Sequence, residues 1–251
     1  MTNPTIDLMM KHRTIRSFTD QPVTDEQIAT IIGAAQMAST SMNQQAYSFI
    51  EITDQAFRDE LAQAVKKPSI SNAARFFIVA VDFTKLMLPQ SDAQQAVMHS
   101  NFGNTQMTEW AVFSAGMAVQ NAHLAAESIG LGAVELGAAL MSVDSIDAKL
   151  QLPAMVKPVI GFALGYPDTE HMPDLKPRLS LDGVLMTDTY QPTQAENAVA
   201  EYNDRMTKYY AERGEAVPRN WSDWFGVAFG SEEKPLVHLT NYSKQKGLYK
   251  N

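Results

Sequence analysis

The chain has 251 residues, with 28 Asp and Glu against 20 Lys and Arg, a formal charge of -8 and no cysteine. The acidic balance argues against non-specific nucleic-acid and membrane-surface binding. The missing cysteines exclude disulfides, thiolate nucleophiles and Cys-based metal sites, so any redox chemistry must come from a bound cofactor.

The length suffices for one large domain or one domain with an appended subdomain. The first ten residues lack a basic stretch followed by an apolar run, which predicts a cytoplasmic protein. Next comes His12-Arg13-Thr14-Ile15-Arg16, then Ser17-Phe18, placing three potentially cationic side chains and a hydroxyl together on an acidic chain. The pentapeptide reads either as an anion site or as a basic helix end whose cations meet the last carbonyls.

Thr24-Asp25-Glu26-Gln27 fits a capping box, and Ile28, Ile31, Ile32 and Ala35 recur at helical spacing, which predicts a helix to Met37. Ser39, Thr40 and Ser41 close it; with Asn43 and Gln45 they could line a polar ligand or satisfy a turn. Residues 47–52 read as a strand and 56–65 as a helix. Residues 76–81 form a nearly continuous apolar run, the pattern of a strand covered on both faces.

One covering helix is expected over residues 109–129, stopped by Gly130. Its apolar stretch from Trp110 to Ile129 has membrane-spanning length, but Ser114, Gln120, Asn121, His123 and Glu127 favour a buried soluble helix. A strand at 133–136, a helix at 143–150 ending before Pro153 and a strand at 159–164 follow. Alternation to Gly165 predicts an α+β protein with a mixed central sheet sandwiched by helices. Residues 167–192, rich in Pro and Asp, read as a long surface connection, and residues 194–213 as a helix ending at Gly214. The expected division is a core over 1–166 and a C-terminal excursion over 167–251.

Within Asp174-Leu175-Lys176-Pro177-Arg178 the two cations stand two apart, and on an extended backbone they share a side. Such a pair can grip a phosphate or remain solvated surface charge. There is no Walker A sequence, GxGxxG, GxSxG or HExxH. His12, His99, His123, His171 and His238 are scattered without metal-ligand spacing, so no metal is expected and His123 reads as a polar residue on a packed helix.

Four motifs carry a resemblance: the segment from His12 to Phe18, then Ser39-Thr40-Ser41-Met42-Asn43-Gln44-Gln45, then Ala125-Ala126-Glu127-Ser128-Ile129-Gly130-Leu131-Gly132, and Pro173-Asp174-Leu175-Lys176-Pro177-Arg178-Leu179. In order and spacing they resemble the FMN-dependent nitroreductase superfamily, and within it the NfsA/FRP-like group of NADPH-dependent nitroreductases and flavin reductases. The likeness covers nearly the whole chain.

The resemblance implies a homodimer with FMN at each subunit interface. It implies that His12, Thr14, Lys176 and Arg178 hold the FMN phosphate, with Arg13 near the ribityl end. Arg16 would reach the pyrimidine edge of the ring and act in catalysis by stabilising negative charge there. Ser39, Thr40 and Ser41 would contact the flavin from the other subunit. Backbone at Leu136 and Gly137 would face its N5 edge, and Lys67 could add charge in a segment that departs from the family pattern.

Arg213, Arg219 and Lys234 would bind NADPH from an excursion that extends across the partner. Leu140 stands where an Arg is usual, which leaves the acceptor pocket less basic. The implied activity passes hydride from NADPH through flavin N5 to nitroaromatics, quinones or flavins by a ping-pong mechanism. Two alternatives stay open: a flavin reductase proper, or an FMN-binding sensor or carrier without turnover.

Overall fold

The computed structural model describes residues 3–214, 220–230 and 237–250. In chain order the elements are α1 (Pro4–Met10), α2 (Asp25–Gln36), β1 (Tyr47–Glu51), α3 (Gln55–Val65), α4 (Ser69–Asn72), β2 (Arg75–Asp82), α5 (Thr84–Met87), α6 (Asp92–Phe102), α7 (Thr105–Ser128) and β3 (Gly132–Leu136). They continue with α8 (Val143–Leu150), β4 (Val156–Gly165), α9 (Pro192–Glu212), α10 (Trp221–Phe229) and α11 (Val237–Gln245). No helix among the described residues is long and apolar enough to cross a membrane.

The strands form one sheet in the order β1-β2-β4-β3. The α+β class is as expected, but the pairing is corrected: among the described residues all three strand pairs are antiparallel, where a mixed sheet was expected. The physical reason lies in the order. The crossover through α7 joins β2 to β3, which run the same way; β4 then inserts between them, antiparallel to both.

Alternate residues of a strand face opposite sides, and β2 buries both. Phe77 and Val79 pack with Phe162 and Leu164 beneath Ile31 and Ala35 of α2 and Ala115, Ala118 and Ala122 of α7. Phe76 and Ile78 face the other way, onto Phe57 and Leu61 of α3 and Ile146 of α8. Five of the nine buried residues of α7 are alanine, which lets this 24-residue helix lie close against the sheet.

Pro158 is the third residue of β4 and precedes the expected start at 159. It has no N–H for the ladder. The register with β2 accordingly shifts between Val79 and Ala80, which is paired with Pro158.

By compactness the chain divides into one unit of Met1–Pro173 with Val237–Asn251, and a second of Asp174–Leu236. The tail therefore belongs with the core: Lys246 donates to the Leu152 carbonyl at 2.6 Å, and its own carbonyl accepts from the Met155 N–H at 2.8 Å. Leu248 beyond it is fully buried. Inside the second unit α9 packs against α10, and Tyr202 stacks edge-on against Trp221 at 5.5 Å.

Candidate functional site

The cationic pentapeptide is not a helix end. Helix α1 stops at Met10 with Lys11 as its C-cap and no basic residue in its last turn, so the cations follow it on separate backbone. The Ile15 N–H donates to the Ala133 carbonyl of β3 at 3.0 Å, and the Thr19 N–H to that of Tyr166 at 2.9 Å. These bonds pin the segment along the sheet.

Ile15 is 5% exposed, so alternation turns Thr14 and Arg16 away from the core. Arg16 is exposed and has no ion pair among the described residues. Arg13 donates through Nη1 to the Lys11 carbonyl, while its buried Nε has no hydrogen-bond partner among the described residues.

Gly132 makes this approach possible. A Cβ there would stand 2.5 Å from Ile15 Cγ1 and 2.7 Å from its Cβ, the branch point, which cannot swing aside without moving the backbone. Gly132→Ala is expected to push the segment off β3 and cost about 1–3 kcal/mol of stability. Urea denaturation of the two proteins checks it.

His12 carries a network that the sequence reading missed. Its Nδ1 lies 2.8 Å from Glu127 Oε1, and the same oxygen is 3.5 Å from Nε2 of His123. Nδ1 of His123 lies 2.6 Å from Glu135 Oε1 on β3. The donor atoms of His12, His123 and Glu127 fall within 4.8 Å of one another. One signal was available: His123 and Glu127 stand four apart on a helix and share a face.

Burial opposes charge on His123, but the Glu127 carboxylate 3.5 Å from its Nε2 and the Glu135 carboxylate that accepts from its Nδ1 outweigh it and raise its pKa to about 9. Burial likewise pushes both carboxyls up, yet the two imidazoles beside Glu127 and His123 beside Glu135 hold each below its usual value. The centre of the network is therefore an imidazolium between two carboxylates.

The other expected site residues lie on separate elements. Ser39, Thr40 and Ser41 do not close α2, which ends at Gln36. They enter a turn in which Thr40 Oγ1 accepts from the Gln45 N–H at 3.2 Å. Met42, Asn43 and Gln45 all have positive φ in that turn, a conformation that costs non-glycine residues and gathers at ligand sites. Lys67 is exposed just beyond α3, whose left-handed C-cap is Lys66.

Leu136 is buried at the end of β3, Gly137 is exposed beside it, and Leu140 turns inward. Arg58 fixes α4, the short helix that follows Lys67: it donates through Nε to the Ile70 carbonyl at 2.9 Å and through Nη2 to those of Ser71 and Ala73.

Lys176, Arg178 and Arg213 belong to the second unit. Lys176 Nζ sits 5.4 Å from the Tyr210 ring centre, and Arg178 folds back to donate to the Lys176 carbonyl at 3.1 Å. Tyr202 donates to the Pro177 carbonyl between them at 2.9 Å, which fixes the turn. Arg213 pairs with Asp174 at 3.0 Å and lies over the Tyr209 ring. Arg219 and Lys234 lie outside the described residues.

A sheet edged by a cationic segment, in which among the described residues one buried guanidinium nitrogen has no hydrogen-bond partner and one exposed arginine no ion pair, defines a protein equipped to hold an anionic ligand. Residues 9–166 match the model of the nitroreductase family, and residues 176–251 match that of the nitroreductase family C-terminal domain. An oxygen-insensitive NADPH nitroreductase of Salmonella typhimurium is 37% identical over 94% of this chain and 95% of its own length. An FMN reductase (NADPH) of Bacillus subtilis is 34% identical over 99% of this chain and all of its own. A solved nitroreductase structure from B. subtilis superposes with a TM-score of 0.89 at 33% identity, covering 98% of this chain and 100% of that one. The chain belongs to the nitroreductase family.

Proposed function

We propose that this protein is a cytoplasmic, homodimeric, FMN-dependent oxidoreductase that takes hydride from NADPH and delivers electrons to nitroaromatic, quinone or flavin acceptors by a ping-pong mechanism. The observation that carries the reading is segment 12–16, held on β3, in which Arg13 and Arg16 have no carboxylate partner among the described residues of an acidic chain. The relatives named an NADPH nitroreductase and an FMN reductase support the same chemistry.

The donor set fits FMN. His12, Thr14, Lys176 and Arg178 are assigned to its phosphate, Arg13 to the ribityl end and Arg16 to the pyrimidine edge. Ser39, Thr40 and Ser41 are assigned to the flavin of the partner subunit, the backbone of Leu136 and Gly137 to the N5 edge, and Lys67 to added charge nearby. Arg213, Arg219 and Lys234 are assigned to NADPH. When bound, FMN supplies the two-electron chemistry, and the chain supplies position and field.

Trp110 and Phe113 stand exposed on α7, with Met37 and Met42 exposed beyond α2. Apolar surface of this kind supports a subunit interface.

Flavin content and reducibility test the proposal. The purified protein is expected to be yellow, to release FMN on denaturation and to bleach when mixed with NADPH without oxygen. Colourless protein with no released flavin overturns the reading, and FMN that NADPH does not bleach leaves a carrier in its place.

A further inference from the structure

We propose that Glu127 is a positioning residue for the FMN phosphate: it holds the ring of His12 by Nδ1 so that Nε2 is presented to the phosphate, and His123 and Glu135 anchor it from behind. The proposal rests on the reading of His12 as a phosphate ligand. An ionised carboxylate only accepts hydrogen bonds, so across the 2.8 Å contact Nδ1 of His12 is the donor. Nε2 is then the remaining nitrogen of a ring that is 27% exposed, while Glu127 is only 12% exposed. With a carboxylate on one nitrogen and a phosphate on the other, the ring meets both as the double donor that only the imidazolium form provides.

The place of Glu127 in the fold argues for a purpose. It lies in the last turn of α7, where the helix dipole disfavours an anion and where no basic residue compensates it. Compensation comes instead from His12 on the N-terminal segment and from His123 one turn back. His123 is 1% exposed and is gripped from the far side by Glu135 of β3. Counting formal charges, two carboxylates and one imidazolium leave one negative charge, and the Nδ1–H of His12 faces it. The arrangement resembles the outer partners that fix the tautomer and angle of a metal-binding histidine, here with an anion as the ligand.

Glu127→Gln keeps the shape and an acceptor oxygen but removes the charge. The measurement is the affinity of the flavin-stripped full-length protein for FMN and for riboflavin, which lacks the phosphate. E127Q is expected to weaken FMN binding about tenfold, the worth of a charged hydrogen bond, with riboflavin unchanged within about twofold. In a His12→Gln background the same change is expected to add nothing, because Glu127 acts through His12.

Equal weakening of FMN and riboflavin, or additivity with H12Q, overturns the proposal. If E127Q does not fold, Glu135→Gln is expected to show the same FMN-selective loss at about threefold, and unchanged selectivity overturns it. Wild-type protein that binds no FMN defeats the functional reading itself. Wild-type protein that binds FMN, with E127Q acting on both flavins alike, defeats the inference alone.

Discussion

Replacing Arg16 with Leu is expected to lower kcat by about 100-fold with NADPH and a nitroaromatic acceptor, the usual cost of removing one preorganised electrostatic donor. The variant is expected to fold as the wild type does. The bonds that hold the segment run through the Ile15 N–H and the packing of Ile15 on Gly132, and Arg16 takes part in neither. Its side chain is exposed and free of ion pairs among the described residues, so its loss leaves no buried partner uncompensated. Arg16→Lys keeps the charge but not the planar fork and is expected to lose about tenfold. Steady-state kinetics with bound flavin and melting temperature measured alongside decide it. A kcat within about threefold of wild type at full FMN occupancy would remove Arg16 from catalysis.

Strong local patterns made much of the fold legible. The apolar run of β2 announced a strand covered on both faces, and Phe76 and Phe77 do pack on opposite sides. The capping box at Thr24 is present with both of its bonds. Helix α6 was missed although Ser91 and Gln94 form a second capping box, because none of its residues is buried and it offers no apolar stripe to read. The antiparallel sheet escaped for a topological reason: spacing reveals strands and crossovers but not that β4 inserts between β2 and β3.

The candidate site divides in the same way. Residues 12–16 are contiguous, so their charge density could be read directly. The partnership of His12 with Glu127 joins residues 115 positions apart, and only the packing of α1 and the following segment against α7 and β3 creates it. Glu127 stood inside a motif that carried the family resemblance, but nothing local assigned it a role. Arg213 was legible as a cation and not as one already paired with Asp174.

The second large effect is on stability, and it depends on pH through His123. Its pKa is raised from an ordinary 6.5 to about 9 in the folded protein. Between those values the native state binds a proton that the unfolded chain has released, so stability falls as pH rises. The contribution is whole below 6.5 and is lost as pH passes about 9. The carboxyls have the opposite sign: Glu127 and Glu135 titrate below their ordinary 4.5, so their contribution is present above 4.5 and is lost as pH falls through their folded values. The network is therefore strongest between about 4.5 and 6.5. Because His123 is almost fully buried, solvent does little to screen it, and the loss from pH 6.5 to beyond 9 is expected to be about 3 kcal/mol. The carboxylates report the same interactions, so their share is not added to it. His123→Gln is expected to be less stable than wild type at pH 6, since it leaves the half-buried Glu127 and Glu135 carboxylates without the imidazolium between them. It is also expected to lose most of the decline between pH 6.5 and 9.5. Urea denaturation at pH 6, 7.5 and 9.5 on both proteins, at one protein concentration and without added flavin, measures the two slopes. If the variant declines as steeply as wild type, another group sets the alkaline limit and the imidazolium at the centre of the network is refuted.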